Sequence, residues 1–195
     1  MRSTFKDSEL PDLIKELESI AHGSETYTFL RKIMSPQEGK LVLECGFDYG
    51  SLGLAYSMRG CEVILIDPNP ERVGNARKLR GALNSLQGFP LPVMIRVANI
   101  DRIHLSPNFF NLVFNVGVIQ RFSDKARRQR IIDQMAKVSS DYVVVIGDND
   151  PKTFEPDELE TLLKKAGLKH VGVEPITPGK LSGSSLVAGY GRIIE

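Results

Sequence analysis

The sequence has 195 residues, of which 42% are hydrophobic and 25% charged, as is typical of a single soluble globular domain. Its 25 Lys and Arg residues nearly balance its 24 Asp and Glu residues, so no overall basic field predicts a nucleic-acid or membrane partner. Two cysteines are too few for a disulfide framework, the N-terminus is polar, and no apolar run approaches the ~20 residues of a membrane span, so we expect a cytoplasmic protein.

Short β-branched runs alternate with amphipathic stretches of helical length along the chain. In chain order, the patterns predict a mostly helical segment over 8–34, a strand over 41–45, a helix over 51–59, a strand over 62–67, a helix over 70–86, strands over 93–98 and 111–114, a helix over 124–138, a strand over 142–147, a helix over 154–166, and strands over 169–174 and 185–192. No repeat or interdomain linker interrupts this order.

Apolar strands that alternate with helices predict a parallel sheet with helices on both faces. The last two strands are separated only by a loop over 175–184, so we expect them to form an antiparallel hairpin at one edge. The predicted fold class is therefore α/β, with a doubly wound, seven-stranded and mostly parallel sheet. We predict one domain over 1–195, with a helical flank or lid over 1–37 and the core over 38–195.

A glycine-rich turn follows the first predicted strand, and an acid closes the second. Gly46 and Gly50 allow the backbone to turn sharply and to approach a ligand closely. Asp67 places a carboxylate where it can accept hydrogen bonds from a ribose diol. Because ligands of open α/β sheets bind beyond the carboxyl ends of the strands, this edge is the predicted site for a nucleoside-containing cofactor.

The charge of this turn distinguishes two classes of cofactor. A dinucleotide site has Gly-x-Gly-x-x-Gly spacing, which is absent here because Asp48 stands two residues after Gly46. Asp48 would also set a carboxylate against a pyrophosphate, which like charge disfavours. S-adenosylmethionine carries an ammonium, a sulfonium and a carboxylate and is net cationic. Glu44, Asp48 and Asp67 therefore suit S-adenosylmethionine better than NAD.

Residues 41–67 resemble the first two motifs of the class I (Rossmann-like) S-adenosylmethionine-dependent methyltransferases, which run strand, acid-x-Gly-x-Gly-x-Gly, helix, strand, acid. Glu44 stands at the first acid, Gly46 and Gly50 at the outer glycines, and Asp67 at the ribose-binding acid. The similarity continues through 97–100, 110–115 and 154–168, so that it extends over about residues 38–192.

The resemblance implies an activity and a set of site residues. The activity is transfer of a methyl group from S-adenosylmethionine to an acceptor, which leaves S-adenosylhomocysteine. The residues that it implies for cofactor binding are Glu44, Gly46, Asp48, Gly50, Asp67, Pro68, Asn99, Ile100 and Asn115. For Ile100, packing in the core is the alternative to contact with the adenine.

Three positions depart from the family pattern. Asp48 replaces the middle glycine, Asn99 the acid after the third strand, and Arg121 the histidine often found after the fourth. Asp48 either binds the ammonium of the cofactor or blocks the site. The alternative function is therefore a degenerate methyltransferase-like module that binds adenosyl ligands or regulates without catalysis, and in that case Asp48→Gly should strengthen binding.

No side chain is predicted to be catalytic, because methyl transfer from a sulfonium needs mainly positioning and desolvation. Residues 115–118 (Asn-Val-Gly-Val) lack the Asn/Asp-Pro-Pro-aromatic motif of many enzymes that methylate amino groups of bases or glutamine. The predicted acceptor is therefore a small molecule, bound over the ends of the fourth and fifth strands. The sequence leaves the oligomeric state open.

Other conspicuous residues have simple structural interpretations. Residues 148–150 (Asp-Asn-Asp) resemble the magnesium-binding pair of catechol-type methyltransferases, but we predict a polar turn and no metal. The basic run 125–130 is predicted to be the solvated face of a helix rather than an RNA contact, since no aromatic residues interleave it. Arg121 is interpreted as a solvated charge, with an anionic acceptor as the alternative. Tyr27 and Phe29 either cap the substrate pocket or pack the N-terminal helix.

Overall fold

Helices and strands alternate along the described residues of the computed structural model, which are 24–148, 156–176 and 186–193 together with Asp12, Lys15, Leu17 and Ser19. The strands are β1 (Leu41–Cys45), β2 (Glu62–Asp67), β3 (Val93–Val97), β4 (Phe110–Val116), β5 (Ser139–Asp148), β6 (Lys169–Ile176) and β7 (Leu186–Arg192). The helices are α1 (Glu25–Ile33), α2 (Ser51–Ser57), α3 (Pro70–Gln87), α4 (Lys125–Val138) and α5 (Pro156–Lys165), with a 3₁₀ helix at Ile119–Arg121. Over the described ranges, no helix has the length and apolar character needed to cross a membrane.

The seven strands form one sheet in the order β3-β2-β1-β4-β5-β7-β6. The pairs β1–β2, β1–β4, β2–β3 and β4–β5 are parallel. β7 is antiparallel to both β5 and β6. The predicted seven-stranded, mostly parallel sheet with a C-terminal antiparallel hairpin is therefore confirmed. β6 extends to Ile176, into the predicted loop, and the rest of that loop lies outside the described residues.

Successive side chains of a strand point to opposite faces of the sheet, so the central strands contribute apolar residues to a core on each face. On one face, Val42 and Phe114 are fully buried in a cluster that includes residues of α1, α2 and α3. On the other face, Leu43 and Val113 are fully buried with residues of α4 and α5. Because both faces are covered, each central strand appears in the sequence as a continuous apolar run.

The position of β1 in the sheet determines where a ligand can bind. β1 lies between β2 and β4. The next strands in the chain, β2 and β3, lie on one side of β1, and the later strands, β4 and β5, lie on its other side. In a doubly wound sheet this reversal leaves a crevice beyond the carboxyl ends of the strands. The ends of β1, β2 and β4 at Cys45, Asp67 and Val116 therefore border the candidate site.

Helix starts near this crevice are capped in two ways. Asn69 caps α3, because its Oδ1 accepts a hydrogen bond from Glu71 N at 2.9 Å, and Pro70 occupies the first helical position. Asp124 caps α4 through Ala126 N, also at 2.9 Å. α2 instead follows Gly50, which has φ +75° at the N-cap position and has no side chain to cap the helix. The loop before α2 is thus shaped by glycine conformation rather than by a capping side chain.

Two arginines fasten α3 to strand β3. Arg77 Nη2 donates to Ile95 O at 2.9 Å, and Arg80 Nη1 donates to Val93 O at 2.8 Å. The side chains of Val93 and Ile95 are buried. Packing and side-chain hydrogen bonds therefore hold the same two residues of β3.

The basic run at the start of α4 is only partly solvated. Arg128 is buried, and its Nη1 donates to Glu158 Oε1 of α5 at 2.9 Å. The prediction of a solvated face is therefore wrong for Arg128. Its position lies one turn before Ile131 and Ile132, on the face of α4 that packs inward. Arg130 lies off that face, and its side chain is 59% exposed.

Tyr27 and Phe29 pack α1 onto the rest of the domain. Tyr27 is fully buried, its hydroxyl donates to Ala55 O at 3.2 Å, and its ring meets Tyr56 edge-to-face at 5.4 Å. Phe29 meets Tyr190 edge-on at 5.9 Å. Helix packing is therefore the role that these contacts give both residues.

Candidate functional site

The glycine loop between β1 and α2 forms the base of the crevice. Gly46 has φ +77° and its N–H donates to Ile66 O at 2.7 Å, which joins the loop to β2. A Cβ on Gly46 would lie 2.6 Å from Cγ2 of Val118, and one on Gly50 would lie 2.7 Å from Cδ1 of Leu65. Both positions therefore need glycine for two reasons, a left-handed backbone and close packing.

Asp67 lies at the end of β2 and organises the loops on either side of it. Its side chain is almost fully buried. Phe47 N donates to Oδ2 at 3.1 Å, and Asn69 N donates to Oδ1 at 2.7 Å. One carboxylate thus holds both the glycine loop and the turn that starts α3.

Glu44 lies in β1 beneath the glycine loop. Only 3% of the residue is exposed, and its Oε2 accepts a hydrogen bond from Gly53 N in α2 at 2.9 Å. Burial raises the pKa of the Glu44 carboxyl to about 8, the negative charge of Asp67 adds to that rise, and the Gly53 hydrogen bond opposes it. Glu44 is therefore a neutral acid at pH 7, enclosed below the crevice.

A single guanidinium lies between two carboxylates of the site. Arg72, in the first turn of α3, places Nη1 3.5 Å from Asp67 Oδ2 and Nε 3.9 Å from Asp48 Oδ1. The Asp48 side chain is 49% exposed at the surface of the glycine loop, whereas that of Asp67 is 2% exposed. Arg72 therefore neutralises part of the negative charge that the sequence places at this edge.

Asn115 contributes a buried acceptor at the end of β4. The residue is fully buried, and its Nδ2 donates to Cys45 O at 2.7 Å, so that it bridges β4 to β1. Its Oδ1 is buried without a hydrogen-bond partner. An unsatisfied buried amide oxygen is unfavourable by about 1–3 kcal/mol, so a donor that reached it would be bound well.

The remaining predicted residues differ in exposure. Ile100 is buried in the same cluster as Ile66 and Cys45, so its present contacts are those of core packing. Asn99 is half-buried, and its carbonyl oxygen accepts from Arg102 N at 3.0 Å. Pro68 is exposed directly after Asp67. Of the three residues, only Pro68 is exposed.

The sequence around this crevice matches a known family. Residues 43–142, about half of the chain, match the family described as a methyltransferase domain. The chain belongs to this methyltransferase family. The match begins in β1 and ends in β5, so it contains the glycine loop, Asp67 and Asn115, and the family predicted from the sequence is confirmed. No curated protein matches the sequence.

Solved methyltransferases share the fold of this methyltransferase domain. N-methyltransferase NodS from Bradyrhizobium japonicum is 18% identical, with a TM-score of 0.69 over 88% of this chain and 96% of its own. A SAM-dependent methyltransferase from Aquifex aeolicus is 19% identical, with a TM-score of 0.66 over 97% of this chain and 100% of its own. Magnesium protoporphyrin IX methyltransferase from Synechocystis, crystallised with bound SAM, is 10% identical, with a TM-score of 0.69 over 98% of this chain and 86% of its own.

Arg72 is a residue of the candidate site that the sequence analysis did not identify. It stands five residues after Asp67, in a helix predicted on other grounds, and no motif marks the position. The available signal was its place in the first turn of the helix that follows the ribose-binding acid. A long, positively charged side chain in that turn can reach back to the carboxyl end of the preceding strand.

The other side of the methyltransferase crevice carries polar side chains. Gln120 Nε2 donates to Asp148 Oδ2 at 3.1 Å, which joins the 3₁₀ helix to the end of β5. Asp148 is the one residue of the predicted polar turn 148–150 that is described, since 149 and 150 lie outside the described ranges. Within those ranges, His, Cys, Asp and Glu side chains form no group that could hold a metal ion.

The side chains of the crevice fit a cationic nucleoside ligand. Asp67 and Asp48 provide carboxylates, and Asn115 provides a buried acceptor without a partner. The net charge of Asp48, Asp67 and Arg72 is −1, which would repel a pyrophosphate and attract a sulfonium. This donor set suits S-adenosylmethionine.

Proposed function

We propose that the chain is an S-adenosylmethionine-dependent methyltransferase that methylates a small molecule. The observation that carries this proposal is Asp67, a buried carboxylate at the end of β2 that is tied to the glycine loop through Phe47 N at 3.1 Å. Membership of the methyltransferase family and the SAM-bound relative from Synechocystis support it. The small-molecule class rests on the absence of the base- and glutamine-methylating motif at 115–118.

Each predicted residue has a proposed part in binding the cofactor. Asp67 accepts hydrogen bonds from the ribose hydroxyls, and the backbone at Gly46 and Gly50 makes room for the methionine portion. Asp48 and Asn115 accept from its ammonium or from ordered water. The adenine lies between the loops that carry Pro68, Asn99 and Ile100. Glu44 supports this arrangement from below by holding α2 through Gly53 N.

S-adenosylmethionine, when bound, supplies an electrophilic methyl group. The chain contributes position and desolvation. The buried ends of β1 and β4 exclude water from one side, and the crevice aligns the acceptor for in-line attack. An acceptor that is already nucleophilic, such as a neutral amine or a thiolate, needs no further catalytic side chain.

We place the acceptor above the ends of β4 and β5. Gln120 and Asp148 lie there, and Arg121 closes the 3₁₀ helix beside Gly117, with its Nη2 4.0 Å from where a Cβ on Gly117 would be. These polar groups suit an acceptor with hydrogen-bonding substituents. The compound in the name of the Synechocystis relative, magnesium protoporphyrin IX, is likewise a small molecule.

Titration calorimetry with S-adenosylmethionine and S-adenosylhomocysteine tests the proposal, with NADH as the comparison ligand. Asp67→Asn removes the charge and one of the two oxygens that accept from the backbone N–H groups of Phe47 and Asn69, so we expect its dissociation constants to rise by about tenfold or more. Asp133→Asn, an exposed change on α4, is the matched control and should bind like wild type. Binding of NADH in preference to both adenosyl ligands would refute the proposal.

A second assay separates the enzyme from the non-catalytic alternative. Purified protein that binds S-adenosylmethionine is incubated with a panel of small amines, phenols, carboxylic acids and thiols, and formation of S-adenosylhomocysteine is measured. Turnover with any acceptor class supports the enzyme. Weak binding of both adenosyl ligands without turnover, together with stronger binding by Asp48→Gly, would support the degenerate module instead.

A further inference from the structure

The ion-pair cluster around Arg72 joins two different parts of the crevice. Asp67 belongs to the end of β2 and Asp48 to the glycine loop, and Arg72 reaches both from α3, at 3.5 Å and 3.9 Å. Both distances exceed the roughly 2.7–2.9 Å of a charge-assisted hydrogen bond. Arg72 therefore acts on the two carboxylates mainly through its charge.

Arg72 and the two carboxylates that it pairs with have opposite charges. Asp48 and Asp67 contribute −2 and Arg72 contributes +1, for a net charge of −1 beside the proposed cofactor. The Arg72 side chain is 30% exposed, and that of Asp67 is 2% exposed. The cluster is thus partly shielded from solvent, where a unit charge acts over longer distances than in bulk water.

The two adenosyl ligands differ by one positive charge at sulfur. S-adenosylmethionine carries an ammonium, a carboxylate and a sulfonium, for a net charge of +1. S-adenosylhomocysteine has a neutral thioether in place of the sulfonium and is net neutral. A side chain that changes the charge of the site by one unit therefore changes the affinity for S-adenosylmethionine more than that for S-adenosylhomocysteine.

We propose that Arg72 is a specificity-determining residue, whose guanidinium offsets the carboxylates of the crevice and so limits its preference for S-adenosylmethionine over S-adenosylhomocysteine. The inference rests on the proposed function.

The test measures the ratio of the two dissociation constants by calorimetry at physiological ionic strength, where the Debye length of about 8 Å screens charges further away than the cluster itself. Arg72→Gln makes the cluster −2 and should raise the preference for S-adenosylmethionine at least about twofold. Asp48→Asn makes it neutral and should lower the preference by a similar factor. Arg72→Lys should restore the wild-type ratio. Arg80→Gln, about 12 Å further along α3, is the matched control and should leave the ratio unchanged.

The outcomes separate this inference from the proposed function. If wild type binds neither ligand, the proposed function fails. If it binds both and Arg72→Gln weakens them by the same factor, Arg72 has only a structural role and the inference is overturned. If Arg72→Gln does not fold, Asp48→Asn becomes the deciding variant, because the half-exposed Asp48 side chain can be changed without disturbing the core. An unchanged ratio of the two dissociation constants in Asp48→Asn would also overturn the inference.

Discussion

Replacing Glu44 with Gln tests whether the carboxyl beneath the glycine loop is buried in its neutral form. The side chain is enclosed, and its Oε2 accepts from Gly53 N at 2.9 Å. Gln has nearly the same shape and keeps an oxygen for this hydrogen bond, but it has no proton to lose. Any pH-dependent difference in stability between the two proteins therefore reports the ionisation of Glu44.

The sign and size of that difference follow from the pKa of Glu44. In the unfolded chain the carboxyl has a pKa of about 4.3, whereas burial raises it to about 8 in the folded state. Below the unfolded value, both states hold the proton and stability is unaffected. As the pH rises towards 8, only the unfolded state loses the proton, so wild type is destabilised. Relative to Glu44→Gln, we expect wild type to lose about 3 kcal/mol of unfolding free energy between pH 5 and 8.

Urea unfolding followed by circular dichroism at pH 5, 6, 7 and 8 measures this difference. Other titrating groups are shared by the two proteins and cancel in the comparison. Asp133→Asn, an exposed carboxylate on α4, serves as the control and should follow wild type across the range. If the unfolding free energies of wild type and Glu44→Gln change in parallel with pH, then Glu44 is ionised in the folded protein and the reasoning is wrong.

Two further predictions concern stability and are checked by the same unfolding assay. Gly46→Ala should lower the unfolding free energy by about 3 kcal/mol, because Gly46 has φ +77° and an added Cβ would lie 2.6 Å from a methyl carbon of Val118. Gly39→Ala is the control, since Gly39 has a similar φ of +78° but nothing within 4 Å of an added Cβ, and it should lower the unfolding free energy by about 1 kcal/mol. Equal losses would contradict the packing argument. Arg128→Ala should cost about 3 kcal/mol because Glu158 loses its buried partner, whereas Lys164→Ala in an exposed pair should cost less than about 0.5 kcal/mol. A small loss for Arg128→Ala would show that water or the second partner of Glu158, Lys125 at 3.7 Å, replaces the guanidinium.

The sheet could be predicted because its central strands are apolar on both faces and its helices carry local start signals. Pro70 marks the start of α3 in the sequence, and in the structure it occupies the first helical position after the cap Asn69. The start of β5 was harder, since Ser139 and Ser140 are typical of loops. Ser139 pairs with Phe110 of the neighbouring β4, and both hydroxyls also donate to Phe110 O, at 3.4 and 3.2 Å.

The candidate site could be located from the sequence, but its charge could not. Gly46 and Asp67 have the spacing of the family motif, which places them at one sheet edge. The pairing of Arg72 with Asp48 depends on how α3 lies against the glycine loop, and the neutral state of Glu44 depends on burial. Neither is a property of local sequence. Cofactor binding by the nine named residues, the division of the domain at residue 38 and the cytoplasmic location stay predictions.

The two arginines that fasten α3 to β3 also affect how copies of the chain can meet. β3 is an outermost strand of the described sheet, and such strands can template aggregation by adding a strand from another molecule. The carbonyl groups of Val93 and Ile95 point away from β2, and Arg77 and Arg80 already donate to them. An incoming strand would find these acceptors occupied and two positive charges beside them. α3, which packs against β3, thereby also blocks the addition of another strand to the free edge of β3. The side chains that do so, Arg77 and Arg80, take no part in the candidate site.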